Sequence, residues 1–295
     1  MKTRITRRDF SKLTVTCLGL STSGVGAAQD QRDFQVSLNE RSLKRMFSSG
    51  QIDHLEFAGI AKSEFDINAV EYASSFFKSK PQDEKYLAEM NQRAAENDVR
   101  QLLIVVDSEP DLGEPSATPA TAIQQYRAWI DAAKVLGCHS IGVPVTKVGN
   151  LDDRLKRSVA SLTTLCEYAD VKKINVIVGN NLDSSADLRF LSALLDQLKH
   201  KQCGAMLTFH ALMQDNRAAT ITKLVPRAKA ICATAKDFDE RGEETTYNYR
   251  RMVAAVMDAG YRGYIGIDYQ GESLEDIAGV KAAHDLLQKV RSNRP

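Results

Sequence analysis

Short apolar runs of four to six residues alternate along this chain with longer stretches whose apolar positions recur every three or four residues. The runs are Phe34–Leu38, Ala69–Ala73, Gln101–Val106, Ser140–Val145, Asn175–Val178, Ala205–Phe209, Ala230–Ala235 and Tyr264–Tyr269. Their Val, Ile and Leu content predicts strands buried on both faces, as in parallel sheets. Between them, Trp129, Ile130, Ala133 and Leu136 mark a helix over 126–136. Leu188, Leu191, Leu194, Leu195 and Leu198 mark another over 186–198. A third, over 249–259, is stopped by Gly260, and a closing one over 274–290 carries Ile277, Val280, Leu287 and Val290. Strands alternating with helices in this number predict an α/β fold, a (β/α)8 TIM barrel in a single domain. An open doubly wound sheet would want a glycine-rich phosphate turn after an early strand. Neither G-x-G-x-x-G nor G-x-x-x-x-G-K-S/T occurs.

The first residues do not share this pattern. Thr6-Arg7-Arg8-Asp9-Phe10-Ser11-Lys12 matches the twin-arginine export signal, and an apolar run broken by Thr, Ser and Gly leads from it to Gly26-Ala27-Ala28. That run is too short and too polar for a membrane span. The expectation is a signal peptide over 1–28, the barrel over 29–295, and a periplasmic or otherwise extracytoplasmic location. The 39 basic and 38 acidic residues are interleaved, for a net charge of +1. This argues against the basic face of a nucleic-acid binder. Of five cysteines, Cys17 falls in the signal. Cys138, Cys166, Cys203 and Cys232 form no C-x-x-C pair, which argues against zinc and thioredoxin-like chemistry. Their apolar neighbours predict buried free thiols, with one disulfide open in an oxidising compartment.

Barrel chemistry is built at the C-terminal ends of the strands. Glu71, inside the second strand, is either an inward-pointing catalytic acid or a buried structural carboxylate. Asp107, after the third strand, either lines the mouth and binds substrate or caps its own loop. His210 is the one histidine near a strand end in the second half, a ligand or general base, or a hydrogen-bonded rim residue. Lys236, ending the seventh strand, is an anion-binding or desolvated catalytic lysine, or simply solvated. His54, His139, His200 and His284 fall away from that face and read as surface or structural residues.

Six segments in order carry a family likeness: LLIVVDSE (102–109), WIDAAKVLGCHSIGV (129–143), INVIV (174–178), PRAKAICA (226–233), KDFDERGEET (236–245) and DAGYRGYIGIDYQG (258–271). Together they resemble the xylose isomerase-like TIM barrels, the sugar phosphate isomerase/epimerase family. The resemblance implies a sugar-like carbonyl substrate, with Asn180 and Asp237 facing it. It also implies a divalent cation held by a Glu after the fifth strand, an Asp after the sixth, a polar group after the seventh and a Glu after the eighth. The metal would polarise the carbonyl oxygen while a carboxylate moves the neighbouring proton.

This chain departs from the pattern: those positions hold Gly179, Thr208, Lys236 and Asp268. No Asp or Glu lies between Asn175 and Leu182 or between Cys203 and Gln214, so sliding the register restores neither missing ligand. An inward lysine about 5 Å from a divalent ion would be repelled by about 6–7 kcal/mol at an effective dielectric near 20. The expected cofactor is therefore none, or a weakly bound Mn, Mg or Zn ion at Asp268. Two readings remain. One is an exported sugar isomerase or epimerase with a degraded metal site, working through Glu71 with His210 or Lys236. The other is a catalytically silent barrel that binds a saccharide or a protein. The expected partner is a small carbohydrate-like ligand, with no nucleic acid and no membrane span.

Overall fold

A computed structural model describes residues 34–77, 80–116, 119–179, 185–215 and 222–292. The export segment over 1–28 and Asn180 lie outside them. The strands are β1 (Gln35–Asn39), β2 (Ala69–Ala73), β3 (Arg100–Val105), β4 (Ser140–Val143), β5 (Asn175–Val178), β6 (Cys203–Thr208), β7 (Ala228–Ala235) and β8 (Tyr264–Tyr269). They pair in parallel in chain order and β8 returns to β1, closing a (β/α)8 barrel. Around it run α1 (Lys44–Ser48), α2 (Phe57–Phe65), α3 (Glu84–Glu96), α4 (Pro119–Val135), α5 (Leu151–Lys172), α6 (Ser185–Leu198), α7 (Phe209–Asp215), α8 (Tyr249–Asp258) and α9 (Asp276–Ser292). Among the described residues no helix is long and apolar enough to cross a membrane.

Where strands end differently from the apolar pattern, local chemistry explains it. β4 stops at Val143 because Pro144 has no N–H to continue the ladder, and the Pro144 carbonyl accepts instead from the Leu112 N–H (3.1 Å). β6 stops at Thr208 because its hydroxyl oxygen accepts from the Ala211 N–H (3.0 Å), which caps α7 and turns Phe209 into a helix residue. α4 begins well before its apolar stripe, with Pro119 at its first position. Asn150 caps α5 and Asn248 caps α8 in the same manner as Thr208.

Strand alternation divides the side chains between two cores. Along β7, Ile231, Ala233 and Ala235 face outward into the large core shared with the helices, while Ala230 faces in. Leu103, Val105, Ile177, Met206 and Ala230 form an apolar cluster inside the barrel. The β8–β1–β2 side of the interior is polar instead. There Glu71 is 2% exposed. Ser37 Oγ donates to its Oε1 (2.7 Å) and Asn39 Nδ2 to its Oε2 (3.3 Å). Gly266 faces it from β8, where any Cβ would overlap the carboxylate. Outside this wall, His54 is buried against Glu40 (3.2 Å) and the Tyr86 hydroxyl, a structural place. Cys138, Cys166 and Cys232 are buried free thiols and Cys203 is a half-buried one.

Two consequences are measurable. A Cβ at Gly271 would overlap the backbone carbonyl of Lys236, an obstacle that cannot swing aside. Gly271→Ala is expected to lower stability by about 1–3 kcal/mol in urea unfolding, the usual cost of overpacking. An unchanged midpoint would contradict that contact.

Burial pushes the Glu71 carboxyl up to about 7; the Ser37 and Asn39 hydrogen bonds oppose the rise and the nearby Asp268 charge adds to it. A folded value above the ordinary 4.5 means that folding takes up a proton. This contribution is fully present below about pH 4.5 and is lost as the pH rises through about 7. Relative to Glu71→Gln, the wild type is expected to lose roughly 3 kcal/mol of unfolding free energy across that window. Parallel stability profiles for the two proteins would show that Glu71 does not titrate in this way.

Candidate active site

At the C-terminal end of the barrel the inward residues open into a cavity of about 190 Å³. Its floor is Val105 and Met206, the top of the apolar interior. Its walls come from successive strands. β1 supplies Asn39, with Arg41 just beyond it, and β6 supplies Thr208, with His210 on the first turn of α7. β7 gives Cys232, Thr234 and then Lys236, spaced by two as alternation requires, and β8 gives Asp268 and then Gln270. Tyr247 closes the side, reaching in from the loop after β7.

That loop is held by Glu244, whose Oε1 accepts from the Lys236 backbone N–H (2.9 Å) and whose Oε2 accepts from the Tyr247 N–H. Lys236 and Tyr247 are thus fixed by one buried carboxylate. Tyr247 in turn meets His210, its hydroxyl 3.0 Å from Nδ1.

Asp268 is 5% exposed. Gln270 Nε2 donates to its Oδ2 (2.7 Å), and the Cys232 thiol lies 3.6 Å from the same oxygen. Its Oδ1 is buried and has no hydrogen-bond partner among the described residues. A buried carboxylate oxygen left without a donor is costly, so this is a place where a proton or a small rearrangement of the wall belongs. Burial, with the Asp268 and Glu71 charges, drives the Cys232 thiol well above its ordinary range, so it acts as a neutral donor here. Lys236 is half-buried, and among the described residues its ammonium makes no ion pair.

The structure therefore brings His210, Lys236 and Asp268 to one cavity and leaves Glu71, Asp107 and Asp237 outside it. Glu71 lies deeper and lines a separate cavity of about 360 Å³ at the N-terminal end, beside Lys229, Tyr261 and Arg262. That cavity is larger, but it faces away from the strand ends where the titratable side chains converge. Asp107 is occupied in tying loops together: it accepts from Arg41 Nε and Nη2 (3.1 and 2.8 Å), from Ser74 Oγ (3.0 Å) and from the Ser75 N–H (2.9 Å). Its place is behind Arg41, which it holds at the cavity wall. Asp237 turns to the loop after β8, accepting from Ser273 Oγ, while its backbone carbonyl accepts from the Thr245 N–H (2.9 Å).

Asn39, Arg41, Cys232, Thr234, Tyr247 and Gln270 are the wall residues that sequence reasoning did not single out as site residues. Counting back by two from Lys236 would have found Thr234 and Cys232, and counting on from Asp268 would have found Gln270. Nothing local marks Tyr247, which is delivered by the Glu244 loop.

The donor set does not suit a divalent cation. Gly179 has no side chain, the Thr208 oxygen is used as a helix cap, and Lys236 adds a positive charge. Among the described residues no three His, Cys, Asp or Glu side chains are placed to share a metal ion. Hard divalent ions require several converging oxygen ligands.

Solved structures similar to this fold include the zinc-bound IolI protein, at TM-score 0.69 and 12% identity over 88% of this chain and 98% of that one. D-allulose 3-epimerase from Methylomonas sp. in complex with D-allulose is similar at TM-score 0.69 and 15% identity, covering 88% and 97%. The 3-keto-D-glucoside 4-epimerase YcjR from E. coli gives TM-score 0.62 and 15% identity, covering 88% and 99%. Among curated proteins none matches the chain. The profile of the xylose isomerase-like TIM barrels matches residues 12–290, and the chain belongs to that family.

Proposed function

We propose that this protein is an isomerase or epimerase of a small sugar-like carbonyl compound, working at the C-terminal cavity without a resident divalent cation. The observation that carries the reading is the convergence of the Asp268 carboxylate, Lys236 and His210 on one cavity at the strand ends. Moving a proton next to a carbonyl needs a base at the carbon and positive charge or donors at the oxygen. The Asp268 carboxylate takes the proton. The carbon–hydrogen bonding pair becomes a carbon–carbon double bond, and the carbonyl oxygen becomes an enolate oxygen beside the Lys236 ammonium. Lys236 directly follows β7, which runs between β8 with Asp268 and β6 with His210 after it. His210, oriented by the Tyr247 hydroxyl, is then the group to return a proton from the other side. Family membership and the sugar epimerases among similar structures support the substrate class. The twin-arginine pattern at residues 6–12 supports export, so the reaction is placed outside the cytoplasm.

The test is deuterium incorporation next to the carbonyl, followed by NMR in heavy water on paired ketoses and 2-keto sugar acids. The wild type is expected to catalyse exchange with at least one of them. Asp268→Asn should slow it by at least about 100-fold and His210→Asn by about 10–100-fold, as befits loss of a general base or acid. Both variants should keep the wild-type circular dichroism. Binding without any exchange would instead favour the silent barrel, for which the absence of the family's metal ligands speaks.

A further inference from the structure

The cavity carries two unlike unmet demands. Asp268 brings an acceptor carboxylate to the cavity wall, which a ligand hydroxyl satisfies. Lys236 is an ammonium with no carboxylate against it among the described residues, although it is half-buried. Arg41 at the same wall is different, because Asp107 balances its charge. A neutral polyol can fill the first demand but offers Lys236 only hydroxyl dipoles. A carboxylate offers a full charge and a charge-assisted hydrogen bond, about twice as strong as a neutral one. Cationic side chains at a partly desolvated wall strengthen that preference. A phosphate ester is a poorer match, since phosphate sites rely on several converging backbone N–H groups. Here the first turn of α7 has already given the Ala211 N–H to Thr208.

We propose that the substrate is a sugar acid whose carboxylate is attached to the carbonyl carbon, a 2-keto polyhydroxy acid, with its carboxylate on Lys236 and its C3 end toward the Asp268 carboxylate. The inference rests on the reading of this cavity as the substrate site. It joins binding to chemistry through one residue. With carboxylate and carbonyl on neighbouring carbons, the ammonium that holds the first also faces the oxygen that becomes the enolate. The C3–H bond breaks toward Asp268, the electron pair forms C2=C3, and the negative charge on O2 develops beside a cation already in place. Reprotonation at C3 returns the proton, so no oxidant, reductant or co-reactant is consumed.

A matched pair tests this directly: 2-keto-D-gluconate is D-fructose with its first carbon oxidised to a carboxylate. Calorimetric titration of the full chain in low salt is expected to give the acid at least about a tenfold tighter Kd than the neutral ketose. Raising the salt to about 0.5 M should narrow that ratio. In Lys236→Met the ratio should fall to within about threefold of unity, while Lys236→Arg keeps part of it. Circular dichroism and thermal unfolding report whether each variant is folded. Equal binding of D-fructose and the acid overturns the sugar-acid inference and leaves the epimerase reading standing. A preference that survives in folded Lys236→Met overturns the role of Lys236. Binding of neither compound overturns both the inference and the choice of cavity.

Discussion

In a closed parallel barrel every second residue of every strand is driven into a space that only side chains can fill, and each of them must be satisfied there. This chain meets that constraint in two ways at once. Its β3–β5–β6–β7 side is filled by Leu, Val, Ile, Met and Ala, and its β8–β1–β2 side by a carboxylate boxed in by a serine, an asparagine and a glycine. Glu71 ends up as an interior post rather than a mouth residue. The next layer up inherits the same asymmetry. The cavity floor is apolar, its β8 wall carries Asp268, and its β7 wall ends in Lys236.

The strands were legible because their apolar runs are short and their breaks are chemical. Those at 69–73, 175–178 and 264–269 have the bounds that the pattern predicts. Misplaced ends trace to side-chain work that hydropathy does not register, such as the missing N–H of Pro144 and the capping oxygen of Thr208. At the position where the family pattern implies an aspartate, the Thr208 hydroxyl turns the chain into α7. Position along a strand was readable, but depth was not. Glu71 and Asp268 are both inward carboxylates, yet one lies below the hydrogen-bonded layer of Ser37 and Asn39 and the other opens upward. Side chains arriving through long loops were the least visible. Tyr247 depends on Glu244 folding residues 236–247 back over the mouth, a contact with no local signature.

Charge gives the site its character. A cavity with one carboxylate and one ammonium is close to neutral, whereas a cluster of carboxylates invites a divalent ion. Where the family pattern implies ligands this chain has Gly179, Thr208 and Lys236, so the mouth carries a side-chain cation whose backbone N–H is held by Glu244. An ammonium gives up geometric rigidity and the doubled charge of a metal, but it needs no loading and suits an anionic ligand. Asp107 contributes from outside the cavity by pinning Arg41, so an acid that reads as a substrate contact serves instead to aim a base.

The most direct measurement is the metal content of the full chain after equilibration with manganese, magnesium and zinc and passage through a desalting column, with proton exchange on substrate followed in the same samples. The account predicts well under one ion per chain and exchange that a chelator does not change. One tightly held divalent ion per chain, with exchange lost on its removal, would contradict it.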